Sequence, residues 1–507
     1  MSGPSNFQYN DRAREERASG CHFLPAAWWY FSLVTPEYTM SYPNLLPRIS
    51  SLFRPAFLAF LLGGASLLLD PEQAPGAGGK SKPGTAARTT LGQSAAPPGA
   101  LLRRESSEKP WQVLPVQETV TVGEQLMALS GREANITFQE GAVQLTLWGN
   151  APGLAGPPVR ESVVELQSHA GTDLAFQLLR GRVVVAKGQD QKPVHVRASF
   201  ADAVYHLTLN DPGTEVALER FGRWPQGSPF VKVETGKTNP EKKAPVPSNS
   251  PRNTVVLVVL KGQADLKSGD LTFALHAPPG PAYFHWDNTD GAAPGPNRLD
   301  QIPPWATPEA LQTAEAKVVL TAAARLSAEL ANQPVEKAVA AAVDRADPAL
   351  RKLAVYDLAA LDDVPRLVDA LGDEKYADVR DTAVEAMQHW LGRRSGQDRK
   401  LYDFLVQQRQ YTASQAEIVL QLLHGFSNED RNRVEIYEAL VAYLNSSRVP
   451  VRELAQWYLY QWVPGAGRDI PYDPAGPKEQ RERAYQAWSK LLTEGKLPPR
   501  APAQSGR

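Results

Sequence analysis

Between Leu178 and Leu218 the chain reads LLRGRVVVAKGQDQKPVHVRASFADAVYHLTLNDPGTEVAL, and this stretch restricts the possible folds more than any other. Three short apolar or alternating runs, Gly181 to Ala186, Val194 to Phe200 and Val204 to Leu209, are cut by clusters of Gly, Asp, Pro and Lys. A fourth run follows Pro212-Gly213. Short runs with period-two alternation, bounded by turn formers, specify strands and tight connections. The pattern extends in both directions, from about Gln117 to Asn288, and includes Ala134 to Phe138, Ala142 to Trp148, Ser162 to Leu166, Asp173 to Leu179, Phe230 to Glu234, Thr254 to Leu260 and Ala282 to Trp286. Many short strands at close spacing favour an antiparallel sandwich or jelly-roll-like double sheet over an α/β fold. Gly141, Gly181 and Gly262 each stand just before such a run, where glycine suits a positive φ or a bulge. The β domain is therefore expected over 116–290.

The segment "LLRGRVVV", followed about thirty residues on by "PGTEVAL", resembles the core of a FecR-type domain, the extracytoplasmic β domain of bacterial signalling proteins. That resemblance implies a part in cell-surface signalling, in which the β domain senses a partner's state and passes it across the membrane to a sigma factor. The family's signalling members carry an N-terminal cytoplasmic helical domain that binds the sigma factor. Here the segment before Ala56 is short, aromatic and without helical periodicity, which favours a scaffold or binding module over sigma regulation.

Upstream, Met40 opens MSYPNLLPRISSLFRPAFLAFLLGGASLLLD, with Arg48 and Arg54 ahead of an apolar run from Ala56 to Leu69. A basic stretch followed by an apolar one is what an export signal looks like, so Met40 is read as the start and residues 1–55 as an N-terminal tail. The fourteen residues of 56–69 fall short of the ~20 that cross a bilayer comfortably, yet no small-x-small cleavage site follows Leu69. A cleaved signal peptide and a retained membrane anchor both remain open. Either places the folded domains outside the cytoplasm, in the periplasm or cell envelope, since Arg48 and Arg54 precede the run and Asp70 and Glu72 follow it. Residues 70–115, largely Gly, Ala, Pro, Ser and Lys, are expected to be a disordered linker, lacking the apolar surface that would offset the entropy of ordering.

After a second linker, 291–306, the chain turns helical over 307–495, and a tail, 496–507, is expected to be disordered. Thr307-Pro308-Glu309 reads as a helix start. "DPALRKLAVYDLAAL", "YADVRDTAVEAMQHWL" and "RVPVRELAQWYLYQW" align on Arg351, Arg380 and Arg452, each with an alanine three residues on. The first two arginines are 29 residues apart and the last two 72, which leaves room for a divergent unit. These segments resemble HEAT-type repeats, in which the alanine allows close helix packing and the arginine bonds a neighbouring turn. The fold expected is thus an all-β domain followed by an all-α HEAT-like solenoid, each unit burying its apolar face on its neighbours. Leu350, Leu353, Ala354, Leu358 and Leu361 form one buried stripe and Val379, Ala383, Met387, Trp390 and Leu391 the next. Lys478 to Thr493 reads as the capping helix.

The chain has 54 basic and 55 acidic residues, a balance that disfavours nucleic acid as a partner. The single cysteine, Cys21, rules out an intramolecular disulfide and a cysteine-based zinc site. His169, His195, His206, His276 and His285 lie in the β region, none at a recognised ligand spacing, so no metal or other cofactor is expected. No nucleophile elbow, phosphate loop or dinucleotide fingerprint occurs, and no catalytic residues are assigned. Two clusters stand out. His285, Trp286 and Asp287 form a compact polar and aromatic group that can line a ligand groove. Trp457, Tyr458, Tyr460 and Trp462 can either face a partner or fill the core between repeats, and the second use is the more frequent in a solenoid.

These observations lead to a non-enzymatic, exported or membrane-anchored interaction protein. It would bind protein partners through the helical array and the β domain, and touch the membrane through 56–69 if that segment is retained. The alternative, from another class, is an exported carbohydrate-binding or carbohydrate-active protein, which requires exposed aromatics and paired acids on one face of the β region.

Overall fold

The computed structural model describes residues 89–150, 159–200, 203–232 and 250–499. The expected tail and export segment, 1–55 and 56–69, lie outside the described residues, as do 70–88 of the expected linker. Strands come first, helices after. The strands are β1 (Thr90–Ser94), β2 (Leu101–Arg104), β3 (Gln112–Val113), β4 (Thr119–Thr121), β5 (Gln125–Ala128), β6 (Glu133–Phe138), β7 (Val143–Trp148), β8 (Ser162–Gln167) and β9 (Leu174–Lys187). They continue with β10 (Val194–Phe200), β11 (Ala203–Leu209), β12 (Glu215–Arg223), β13 (Arg252–Lys261), β14 (Gln263–Ser268), β15 (Leu271–His276), β16 (Gly280–Asp287), β17 (Gly291–Ala292) and β18 (Asn297–Leu299).

Two ladders share one strand. The first runs β4, β1, β6, β7, β9, β12, β13, β16 and β18, with β17 also against β16. The second runs β3, β2, β5, β8, β9, β10, β11, β14 and β15, antiparallel throughout except where β9 meets β10. Strand β9 serves both, pairing with β8 and β10 through residues 174–180 and with β7 and β12 through residues 181–187. The sequence suggested two strands here, Asp173 to Leu179 and Arg182 to Ala186; they are one strand, and Gly181 is where it passes from one ladder to the other. Gly181 has φ 93° and sits so close to β8 that a Cβ would lie 2.2 Å from the Glu161 carbonyl oxygen. Between the ladders is one apolar core, with Leu126, Val164, Phe176, Phe200 and Leu266 from the second facing Ile136, Leu145, Val183, Leu257 and Phe284 from the first.

Three linker and strand expectations need correction. Strands β1 to β3 lie within 70–115, because TLGQS and LLRR find ladder partners in β4, β6 and β5 that local composition does not reveal. Strands β17 and β18 lie within 291–306, pairing with β16. Residues 230–232 are not in a strand, and 233 and 234 lie outside the described residues.

Among the described residues eleven α-helices follow: α1 (Ala314–Leu330), α2 (Val335–Ala342), α3 (Pro348–Ala360), α4 (Val364–Leu371), α5 (Ala377–Gly392), α6 (Gln397–Gln407), α7 (Ala413–His424), α8 (Val434–Tyr443), α9 (Val449–Trp462), α10 (Pro464–Asp469) and α11 (Lys478–Thr493). The first helix begins later than Thr307. Residues Pro308–Leu311 make only a 3₁₀ turn, and Thr313 caps α1, its hydroxyl accepting from the Ala316 N–H at 3.1 Å. Leu497, within the expected tail, is buried against the helical core.

The aligned arginines are spent within the helical region. Arg351 donates to the carbonyls of Arg345 and Ala346 and to Asp378. Arg380 donates to the Asp373 carbonyl, Glu453 and Asp473, and Arg452 to the carbonyls of Ser446 and Pro474. Each thus ties the loop before its own helix to an element further along. The chain between the second and third arginines supplies α6, α7 and α8.

Candidate functional site

Strands and helices are welded along a buried seam. On the apolar part, Leu102, Met127, Leu129 and Val163 from the outer face of β2, β5 and β8 pack against Ala323, Leu326, Val339, Leu353 and Leu358 of α1 to α3. The backbones themselves touch at β12 and α5. A Cβ on Gly222 would lie 1.9 Å from the Gly392 carbonyl oxygen, and one on Gly392 would lie 2.4 Å from that of Gly222. Beside this contact the Trp224 indole donates to the Leu391 carbonyl at 3.2 Å and stacks on His424 with ring centroids 4.2 Å apart.

Charges complete the seam. Arg132 reaches Asp357 at 2.9 Å and donates to Ser327, with both members of the ion pair buried. Glu161, fully buried just ahead of β8, gathers two guanidinium groups and an imidazole: Arg180 at 2.5 Å, Arg393 at 2.6 Å and His389 at 3.2 Å. Burial works against the Glu161 charge, but Arg393, His389 and Arg180 hold its carboxyl well below the usual range. Burial pulls the Arg393 guanidinium down to about 10 and outweighs Glu161 at His389, whose pKa is also lowered. Arg180 and Arg393 then donate to the carbonyls of Ala360 and Ala359, which ties the C-terminal end of α3 to the strands.

A second polar group opens outward. Helix α5 is buried along most of its length, between α3 and α9, and presents Asp381, Glu385 and Gln388 as a strip with i, i+4, i+7 spacing. Glu385 accepts from Tyr356 at 2.6 Å and from Arg160 at 3.1 Å, and its side chain keeps 43% of its surface exposed. Gln388 donates to the Tyr458 hydroxyl. Asp381 faces Glu453 of α9, which is buried and also bonded by Arg380 at 2.6 Å. Burial, reinforced by the Asp381 charge, pushes Glu453 up to about 8, and loss of hydration beside α9 raises Asp381 as well. The strip therefore offers two carboxyl groups and one amide to a partner rich in hydrogen-bond donors.

The residues singled out by sequence are placed as follows. Strand alternation separates His285 from Trp286: Trp286 packs on the core side with Phe284, and His285 turns to the other face beside Tyr283, ring centroids 5.6 Å apart. Asp287 is buried, paired with Arg252 at 2.8 Å, and accepts from the N–H groups of Thr289 and Asp290. None of the three lines the hollow of about 420 Å3 between Trp111, Val113, Leu330, Pro334 and Val335, or that of about 150 Å3 between Phe138, His169, Asp173 and Leu174. The aromatic cluster of α9 is drawn into helix packing. Tyr458 is buried and donates to the Leu422 carbonyl, Tyr460 donates to that of Ile470, Trp457 stands edge-on to Tyr458, and Trp462 contacts Phe426 and Tyr437. Trp457, Tyr460 and Trp462 keep part of their surface exposed.

Among the described residues no three His, Cys, Asp or Glu side chains gather as a metal site, and no helix is long and apolar enough to cross a membrane. Sequence reading missed Glu161, His389 and Arg393 and the Asp381–Glu453 pair. Within α5 and α9 the only available signal was an acid, Asp381 or Glu453, directly following each aligned arginine. No family model matches the chain, and no curated protein or solved structure does either.

Proposed function

We propose that this chain is a non-enzymatic interaction protein of the cell envelope, exported or membrane-anchored through 56–69, with a FecR-like β sandwich joined to a HEAT-like helical array. Two ladders closing on one core, with Gly181 at the crossing, support the sandwich. The repeated arginine ties of α3, α5 and α9 support the helical array as a stack of related units. The observation that carries a binding role is the α5 strip. A helix buried along most of its length keeps Asp381, Glu385 and Gln388 open, and α3 and α9 meet them through Tyr356 and Tyr458. Polar groups bordered by aromatics, on a support that cannot shift, suit recognition of a folded protein partner. Such a partner presents lysine, arginine or amide donors to the strip.

A photoreactive amino acid at position 385 in intact cells, combined with a protease-accessible C-terminal tag, tests this reading. The expected result is one discrete cross-linked protein that disappears when Asp381 is replaced by lysine, and a tag cleaved in intact spheroplasts. A tag protected until lysis would remove the envelope location, and the absence of any adduct that depends on Asp381 would remove the strip as the docking site.

A further inference from the structure

Among the described residues the two ladders have four ends, and three are blunt. Strands β3, β4 and β18, which close three of them, are two, three and three residues long. Short edge strands of this kind are a common protection against pairing with another chain. The fourth edge is β15, LTFALH, six residues with no charge, proline or bulge before its last residue. Among the described residues β14 is its one ladder partner.

The backbone parity of β15 fixes what its free side offers. Ser268 and Leu271 flank the two-residue turn Gly269-Asp270, so that pair exchanges hydrogen bonds, and the same parity continues through Phe273 and Leu275. It reaches Ala277, whose N–H donates to the Gly262 carbonyl at 2.9 Å. The N–H and C=O groups of Thr272, Ala274 and His276 therefore point away from β14, toward the open edge. Their side chains are exposed, whereas Leu275 is buried and Phe273 packs on the core between the ladders. Leu271, at the head of the strand, is 57% exposed.

We propose that this edge pairs with β15 of a second copy of the chain, antiparallel, about a twofold axis at Phe273. Only even-numbered residues have free backbone groups, so Thr272 can face 272, 274 or 276 of the other strand and no odd position. Thr272 opposite Ala274 is the register proposed: facing His276 pairs one more outward residue but sets Asp270 against Pro278, and facing Thr272 leaves Ala274 and His276 opposite turn residues. The chosen register forms about four backbone hydrogen bonds. It also brings Asp270 of each copy alongside His276 of the other, and the imidazole carries an N–H to donate to that carboxylate. Both contacts occur twice, as a twofold interface demands. The second ladder then continues without a break from one protomer into the next.

The mass of the full chain in solution, by sedimentation, is the first reading, against 55.4 kDa for one copy. A twofold mass is expected. Ala274→Pro removes one outward N–H and no bond to β14, so it should halve the mass and leave the circular dichroism of the folded chain unchanged. In a background with Cys21→Ser, mixing Thr272→Cys with Ala274→Cys should yield an oxidised two-chain species that neither variant forms alone, because the register sets those two positions opposite each other. A wild-type chain that stays single at micromolar concentration overturns the proposal. So does an Ala274→Pro variant that keeps the wild-type mass, which would locate any dimer elsewhere, or a cross-link that forms equally well in unmixed Ala274→Cys.

Discussion

Glutamine at position 161 would keep the shape of Glu161 and remove the charge that Arg180, Arg393 and His389 converge on. Breaking a buried ion pair from one side typically costs about 3–5 kcal/mol, because the remaining charges stay out of water. Glu161→Gln is therefore expected to lower the unfolding free energy by that amount at pH 7, read by chemical unfolding, and the loss should shrink as pH falls below the usual glutamate range toward the depressed folded value. A loss below about 1 kcal/mol, the range of exposed pairs, would show that solvent already reaches the cluster. The Asp381–Glu453 pair makes a prediction of the opposite pH sense. Glu453 is raised above its ordinary value to about 8, so the folded chain holds a proton that the unfolded chain releases earlier. Its contribution to stability is complete in acid and is lost as pH rises from the usual glutamate range through about 8. Asp381→Asn removes the neighbouring charge and should flatten that decline, read as a smaller difference in melting temperature between mildly acidic and mildly alkaline buffer.

Among the elements, α5 is the one on which most depends, since it carries the strip, the Gly392 contact with β12 and the arginine that joins it to α9. Arg380→Ala would leave the buried Glu453 carboxyl without its donor and free the Asp373 carbonyl, so a clear loss of stability is expected in chemical unfolding. Arg351→Ala, whose partner Asp378 is about a quarter exposed, should cost clearly less, and equal losses would contradict the ranking by burial. The comparison also shows what could be read in advance. The arginines were legible because each repeats in a fixed local frame, three residues before an alanine on the same helix face. The cap at Thr313 was not, because Thr307-Pro308-Glu309 has the same chemistry six residues earlier and only packing decides between them. Strand β1 was hidden for a related reason: TLGQS has little strand character of its own and is held by β4 and β6. Glu161 and its cations come from positions far apart in sequence, and no spacing rule links them.

At the scale of the whole molecule, the strands and helices share the apolar cluster of Met127, Leu129 and Val163 with α1 to α3. A fragment ending at residue 303 would present that outer face to water along with Arg132 stripped of Asp357 and Glu161 stripped of Arg393 and His389. Such a fragment is expected to aggregate or to bind a hydrophobic dye strongly, whereas the full chain unfolds in a single transition seen alike by tryptophan fluorescence and circular dichroism. A monomeric, dye-silent fragment with its own sharp transition would mean that the seam contributes little to the strands.

The seam also sets a timetable for synthesis. Arg132 and Asp357 are 225 residues apart in the chain. At ribosomal speeds of about 5–20 residues per second, roughly 10–45 s separate the appearance of the arginine from that of its carboxylate. Throughout that interval the outer face of β2, β5 and β8 waits for helices that have not yet been made. The strands are made well before the helices that cover them.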